Sequence, residues 1–486
     1  MSGNAGGSGS ALWTGLGLVS PLTAHVTGAV PRTGVTGISI DTRTLCPGEL
    51  FFAIKGPKLD GHDFVGAAFA KGAAAAVVDE QHARALQNLG PLYVVNEVLP
   101  SLERLGSAAR ERTTARIAAV TGSVGKTSTK EALRLALQHM GPVHASAASY
   151  NNHWGVPLTL ARMPKNAAFG IYEIGMNHKG EITPLAAMVR PHIAIITAVA
   201  PVHLEYFESV DEIADAKAEI FSGLLPGGVA ILNRDNAQYD RLLSHAKDSP
   251  AGYVAGFGEH EKADARLLSA TLEADHSMVT ADICGETASY RLGAPGRHLA
   301  LNSLAVLVAA KAFGGDIKLA AEALASFTAQ PGRGERLRLN TNNGPYILID
   351  ESYNANPASM RAAIALAGAL PLPGKGRRIA VLGDMLELGP RGAALHEELA
   401  ADLVANNIDL VFTAGPLSRH LYNAMPRHTQ GAAREKPSEL APAVVATVRA
   451  GDILLVKGSN AIKMNVIVEA LKNYAASCPQ DGSALC

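Results

Sequence analysis

Residues Thr121 to Ser128 read TGSVGKTS. They follow four apolar residues, Ile117 to Val120, and lead into an amphipathic segment from Glu131 to Met140. Strand, glycine-bounded turn, lysine, hydroxyl and helix, in that order, form a cradle for phosphate. Gly122 and Gly125 let the backbone curl so that the N–H groups of Ser123, Val124 and their neighbours turn inward toward an anion. The new helix adds the positive end of its dipole. Lys126 is placed to reach terminal phosphates, Thr127 to offer a hydroxyl to Mg²⁺, and Ser128 completes the run. A strict loop of this kind has glycine six positions before the lysine. Val120 stands there, so the loop is the variant T-G-x-x-G-K-T. The ligand expected from these residues is a nucleoside triphosphate.

The elements that must position this loop recur along the chain. The 486 residues suit two to four domains. Up to about residue 110, strand-like runs at Gly37–Asp41 and Leu50–Lys55 flank a Pro47-Gly48 turn, and another strand is expected at Ala74–Val78. Between 111 and 330, strand-like runs end in polar groups: Gly170 to Glu173, Ile193 to Thr197, Val229 to Asn233. After the loop Gln330 to Gly334, four more follow at Tyr346–Asp350, Arg378–Asp384, Leu410–Gly415 and Asp452–Lys457. Helical patterns separate them. The fold class expected is α/β, with mainly parallel, doubly wound sheets. Ligands then belong beyond the carboxyl ends of the strands.

Several strings sit where such ligands would lie. Ser149 to Leu160 brings Asn151, Asn152, His153 and Trp154 together before a glycine and a proline. That is either a helix cap with a surface loop or a polar site. Glu173 is a buried structural acid or, given the phosphate loop, the hard oxygen ligand that a divalent metal needs. His203 alone says little. Lys217 lies in a helical pattern with Ile213, Ala216, Ile220 and Phe221. It is an ordinary solvated lysine or, beside a metal site, a deprotonated and modified one. Asn302, inside an apolar helix, needs a partner, either a nucleotide base or a core group. DESYNANP (350–357), LGDMLELG (382–389) and VKGSN (456–460) each follow a strand of the last block and suggest one face turned to a ligand.

The formal net charge of −1 gives no electrostatic reason to expect nucleic acid or an anionic membrane as partner. Cys46, Cys284, Cys478 and Cys486 are scattered without metal-ligand spacing and read as reduced thiols of a cytoplasmic protein. The first ten residues lack the pattern of a signal peptide, and no apolar run reaches membrane-spanning length.

Taken together, these strings resemble the Mur ligase family, ATP-dependent amide-forming enzymes of bacterial cell-wall precursor synthesis. The resemblance rests on TGSVGKTS, NNHWGVP, EIGMNHKGEI, HLEYF with AKAEIF, the helix carrying Asn302, DESYNANP, GDMLELG and VKGS, and it spans nearly the whole chain. EIGMNHKGEI, YNANP and GDMLELG look like the branch that adds D-alanyl-D-alanine. The resemblance implies three domains: 1–110 for a UDP-N-acetylmuramoyl peptide, 111–330 for ATP, and a Rossmann-like 331–486 that brings the dipeptide.

Carried over by position, Thr42 and Arg43 fall in the uridine-nucleotide motif. The loop residues 122–128, Asn302, Arg333 and Asp350 serve ATP. Asn151, Asn152, Tyr353, Asn354, Lys457 and Ser459 face substrate. Thr127 serves one Mg²⁺, Glu173 and His203 resemble ligands of a second, and Lys217 matches the lysine that is carbamylated in relatives. Lys126, Lys217, Glu173 and His203 form the implied catalytic set. The chain is expected to act as a monomer on small molecules. Two positions depart from the pattern. Glu351 stands where an Asp is common, and Asn460 where an Arg is common, with Lys463 downstream.

Overall fold

The computed structural model describes residues 11–147, 149–201, 205–273 and 275–478. Three sheets follow one another along the chain. In the first, Leu50–Phe52, Ala75–Asp79 and Leu92–Val95 are short apolar strands, buried almost throughout. Strands covered on both faces have this continuous rather than alternating pattern. Ile38–Ser39 lies parallel to Leu50–Phe52 at one edge, and His25–Thr27 lies antiparallel to Leu92–Val95 at the other. Because the first pair is parallel, the Pro47-Gly48 turn is not a hairpin tip. Gly48, at φ +87°, turns the chain into the next parallel strand.

Helix Val98–Glu111 joins this sheet to the next. Its Gly106 lets Pro157 of helix Gly155–Ala161 come close, since a Cβ there would stand 3.0 Å from the Pro157 carbonyl oxygen. Trp13 Nε1 donates to the Ala161 carbonyl at 2.9 Å, and the Arg112 guanidinium caps the same indole at 3.4 Å.

The central sheet has Arg116–Thr121 inside it, flanked in parallel by Phe169–Glu173 and Ile193–Ile196. The chain moves to one side of that strand and then to the other. A crevice therefore opens at its carboxyl end, where the phosphate loop begins. The parallel run continues through Gly228–Asn233 and Ala251–Gly258 to Ala265–Leu272. There the sheet turns antiparallel through Ser277–Ile283 and Glu286–Leu292. Ser277–Ile283 alternates buried and less buried residues and packs one face on helix Arg297–Ala312. That helix is buried on most sides, which explains its weak amphipathicity: it lies between the antiparallel extension and helix Lys126–Leu137.

The third sheet runs Glu335–Thr341, Gly344–Glu351, Ile453–Lys457, Arg378–Gly383, Leu410–Ala414, Gln430–Arg434. Only its first pair is antiparallel. The sequence reading finds the four inner strands and misses both edges. ERLRLNT alternates charged and apolar residues and QGAAR holds no large apolar residue, so neither forms an apolar run. No helix among the described residues is long and apolar enough to cross a membrane.

Candidate active site

The phosphate loop bridges strand Arg116–Thr121 and helix Lys126–Leu137. Gly125 is the helix N-cap at φ +84°, and no side chain caps it. The first N–H groups of the helix are therefore left to a ligand or to water. Gly125 must be glycine for a second reason: a Cβ would stand 2.5 Å from Asn302 Nδ2. The segment after strand Ile193–Ile196 anchors the other side of the loop. Thr197 Oγ1 donates to the Val124 carbonyl at 2.6 Å, and Ser123 N–H donates to the Ala198 carbonyl at 2.7 Å. Ser123 Oγ accepts the Ala200 N–H at 3.0 Å. Thr197 is absent from the sequence-derived set. Its only signal there is its place at the end of a strand.

Lys126 folds back and donates Nζ–H to the Gly122 carbonyl at 2.6 Å. Burial lowers its pKa and the Arg333 charge adds to that, while the Glu173 carboxylate opposes it. A cation with so little solvation is stabilised strongly by incoming phosphate.

Glu173, at the end of its strand and 1 % exposed, is the hub of the site. Its Oε2 accepts the Thr127 hydroxyl at 2.8 Å and its Oε1 accepts Asn151 Nδ2–H at 2.8 Å. An octahedral ion with bonds of about 2.1 Å holds adjacent oxygens about 3.0 Å apart. The Thr127 and Glu173 oxygens already stand at nearly that spacing, so this hard-oxygen pair fits Mg²⁺. Asn152 does something else: its Oδ1 accepts the Gly155 N–H at 3.0 Å and closes the turn into helix Gly155–Ala161.

Lys217, near the end of helix Val210–Ala218, is only 2 % exposed. Burial first, and the charge of Lys126 second, hold its pKa well below the usual lysine range. The solvated-lysine reading fails on burial alone. His203 lies outside the described residues.

Groups from beyond the central sheet reach this cluster. Arg333 Nη2 donates to Ser149 Oγ at 2.9 Å, and its guanidinium lies 3.9 Å over the Tyr353 ring. Asp350, almost fully buried, shapes that turn. Its Oδ2 accepts the Gly332 N–H at 3.0 Å, and its Oδ1 accepts the Ser352 hydroxyl at 2.6 Å. The carboxylate thus braces the arginine's loop. A small cleft, lined by Ser128, Leu299, Phe327, Ala329, Gln330 and Arg333, lies beside the phosphate loop. Asn302 is on the helix that supplies Leu299.

On the third sheet, Lys457 Nζ pairs with Glu351 Oε2 at 3.0 Å and donates to the Asn354 carbonyl at 3.0 Å. Glu351 is therefore the counter-ion of a buried lysine. Ser459 Oγ accepts the Leu386 N–H at 2.9 Å and ties VKGSN to GDMLELG. Lys463 Nζ lies 3.3 Å from Asn460 Oδ1. Thr42 and Arg43 follow the edge strand Ile38–Ser39 of the first sheet. Arg43 is exposed and forks onto Asp41 at 2.6–3.1 Å, while Lys71 Nζ holds the Thr42 carbonyl at 2.8 Å.

The chain matches three family models in succession: the Mur ligase family catalytic domain over residues 34–113, the Mur ligase middle domain over 120–310, and the Mur ligase glutamate ligase domain over 332–460. It is 32% identical to the UDP-N-acetylmuramoyl-tripeptide–D-alanyl-D-alanine ligase of Rickettsia prowazekii, over 89% of this chain and 94% of that one. It is 33% identical to the protein of the same name from Bacillus subtilis, over 90% and 94%. Among solved structures, MurF from Acinetobacter baumannii superposes with a TM-score of 0.81 at 28% identity, covering 95% of this chain and 99% of that one. With relatives above 30% identity along nearly its whole length, and a phosphate loop whose threonine meets the strand-end glutamate, the chain belongs to the Mur ligase family.

Proposed function

We propose that this protein joins D-alanyl-D-alanine to the terminal carboxylate of a UDP-N-acetylmuramoyl tripeptide, consuming ATP, in peptidoglycan precursor synthesis. The names of the relatives support the substrates. The observation that carries the chemistry is the Thr127–Glu173–Asn151 cluster at the mouth of a phosphate loop, with Arg333 reaching into it.

A carboxylate is a poor acyl donor at neutral pH. Transfer of the γ-phosphoryl group makes it an acyl phosphate, splitting one hard step into two easier ones. In this reading the loop N–H groups and Lys126 hold the transferring phosphoryl oxygens, and Arg333 approaches the same charge from the hinge. Thr127 and Glu173, with His203, would hold Mg²⁺, which offsets the phosphate charge when bound. Asn302 takes the base. Thr42 and Arg43 take the uridine nucleotide, and Tyr353, Asn354 and Ser459 the dipeptide side. Burial lowers the pKa of the Lys217 amine and so favours the neutral form that carbamylation needs, and a carbamate there would present oxygens toward a second cation. The dipeptide amine then attacks the acyl carbon and phosphate leaves. The residue ranges 1–110, 111–330 and 331–486 serve as three working units of a cytoplasmic monomer.

The test is phosphate release with defined UDP-muramoyl peptides. Turnover should need both the tripeptide and D-alanyl-D-alanine. Hydroxylamine should trap an acyl phosphate without the dipeptide. Efficient addition of a single amino acid would move the chain to another branch of the family.

A further inference from the structure

The first sheet carries a second constellation that the ligase chemistry does not use. Asp60 caps the short helix Gly61–Phe64 and Asp79 caps helix Glu80–Leu86. In each cap one carboxylate oxygen accepts both a backbone N–H and a histidine ring proton. Asp60 Oδ1 takes His62 N–H at 3.0 Å and Nδ1 at 2.6 Å, and Asp79 Oδ1 takes His82 N–H at 3.0 Å and Nδ1 at 2.7 Å. The two imidazoles stack at 3.9 Å with 13° between their planes. His62 is 3 % exposed and His82 is 38 % exposed.

Helix capping accounts for only part of this arrangement. The tautomer that satisfies both carboxylates puts the proton of each ring on Nδ1. His82, with Nδ1 held by Asp79, is oriented as metal ligands usually are, its Nε2 left for an ion. His62 Nε2 accepts the Asp79 N–H at 3.2 Å, whereas His82 Nε2 has no hydrogen bond among the described residues. The outer carboxylate oxygens also lack one: Asp60 Oδ2 has only the exposed Lys55 amine at 4.0 Å, and Asp79 Oδ2 only His62 Nε2 at 3.7 Å. Two carboxylates thus face the two stacked rings, with Lys55 the nearest ammonium at 4.0 Å. One ligand atom each from Asp60, His62 and His82 already lies within 4.8 Å of the others.

We propose that Asp60, His62 and His82 form a site for a divalent transition cation of the Zn²⁺ type, with Asp79 orienting His82. A tetrahedral ion with bonds of about 2.1 Å holds its ligands about 3.4 Å apart. Closing to that spacing tilts the more exposed His82 ring out of the stack. His62 would bind through Nδ1, the nitrogen that now faces Asp60, so its proton leaves that atom on uptake. Two nitrogen donors select Zn²⁺, Co²⁺ or Ni²⁺ over Mg²⁺, which takes oxygen. The site lies at the carboxyl ends of parallel strands Leu50–Phe52 and Ala75–Asp79, the same sheet edge that carries Thr42 and Arg43. It is independent of the phosphate loop and of the ligase reading.

The test is titration of the chelator-treated full-length protein with ZnCl₂ in excess Mg²⁺, read by calorimetry and by metal content after gel filtration. The wild type should bind one equivalent at this site. His82→Ala and Asp60→Asn should each weaken it by about tenfold or more. The asparagine variant keeps the cap acceptor and guards against loss of fold. Cys46→Ser should retain the uptake, and Co²⁺ should give the visible bands of a tetrahedral nitrogen–oxygen site in the wild type only. No uptake by the wild type, or equal uptake by the wild type and both variants, would overturn the proposal. So would uptake lost in Cys46→Ser and kept in His82→Ala.

Discussion

Arg333 and Ser149 lie 184 residues apart and meet at 2.9 Å through Nη2 and Oγ. Ser149 is 3.5 Å from the Thr127 hydroxyl, so the arginine that follows the central domain touches the cluster around the phosphate loop. The Tyr353 ring holds the guanidinium plane from the other side. Arg333→Lys keeps the charge but loses the fork and the stacking surface. The expected result is a kcat reduced by about 10²-fold with the melting temperature nearly unchanged, measured by phosphate release and thermal denaturation. A variant with wild-type kcat would leave Arg333 as a hinge contact only.

Lys126→Ala removes the cation nearest the loop carbonyls. Turnover should fall by on the order of 10³-fold, the size expected when a charge-stabilising donor is lost. Lys126 has no carboxylate partner within bonding distance among the described residues, so circular dichroism and stability should change little. Near-normal turnover by a folded variant would remove Lys126 from the mechanism.

Glu173→Gln preserves shape and leaves the Thr127 and Asn151 contacts a polar partner. It removes the charge that a hard cation needs. The Mg²⁺ concentration for half-maximal rate should rise by about tenfold or more while the fold is retained. Superimposable Mg²⁺ titrations would make Glu173 a structural acid.

Lys217→Ala should lose most activity, by roughly 10²-fold, and small carboxylic acids should restore part of it by supplying the missing oxygens. Mass measurement on CO₂-equilibrated protein should show the added carbamate. The depressed pKa sets the direction of the pH effect: the neutral amine that adds CO₂ is available at lower pH than for an exposed lysine. Full activity in the alanine variant would end this reading.

His396 couples the third domain to pH. Its Nε2 accepts the Met385 N–H at 2.8 Å and its Nδ1 donates to the Gly392 carbonyl at 2.6 Å, so the buried ring must be neutral. Burial lowers its pKa below the ordinary histidine value. With an unfolded pKa of ~6.5, its stabilising contribution is complete above that value. It declines as the pH falls from there toward the folded pKa, because the unfolded chain then binds the extra proton. Amide exchange in residues 384–396 should accelerate over that window. His396→Gln should flatten the dependence, and an unchanged profile would contradict the assignment.

The phosphate loop was legible because its parts are neighbours in sequence. Gly122, Gly125, Lys126 and Thr127 act through backbone angles and a helix start, which local spacing dictates. The inner parallel strands were legible for a similar reason, since burial on both faces writes an apolar run. The antiparallel extension at 265–292 was not, because alternating residues such as SMVTADI blend with turn and helix patterns when only one face is covered. Tertiary structure alone joined Glu173 to Thr127 and Asn151, fastened the loop to Thr197, and brought Arg333 to Ser149. It also buried Lys217. Each of those facts depends on which strand lies beside which. That order follows from how the whole chain buries its apolar surface, a condition no short string of residues contains.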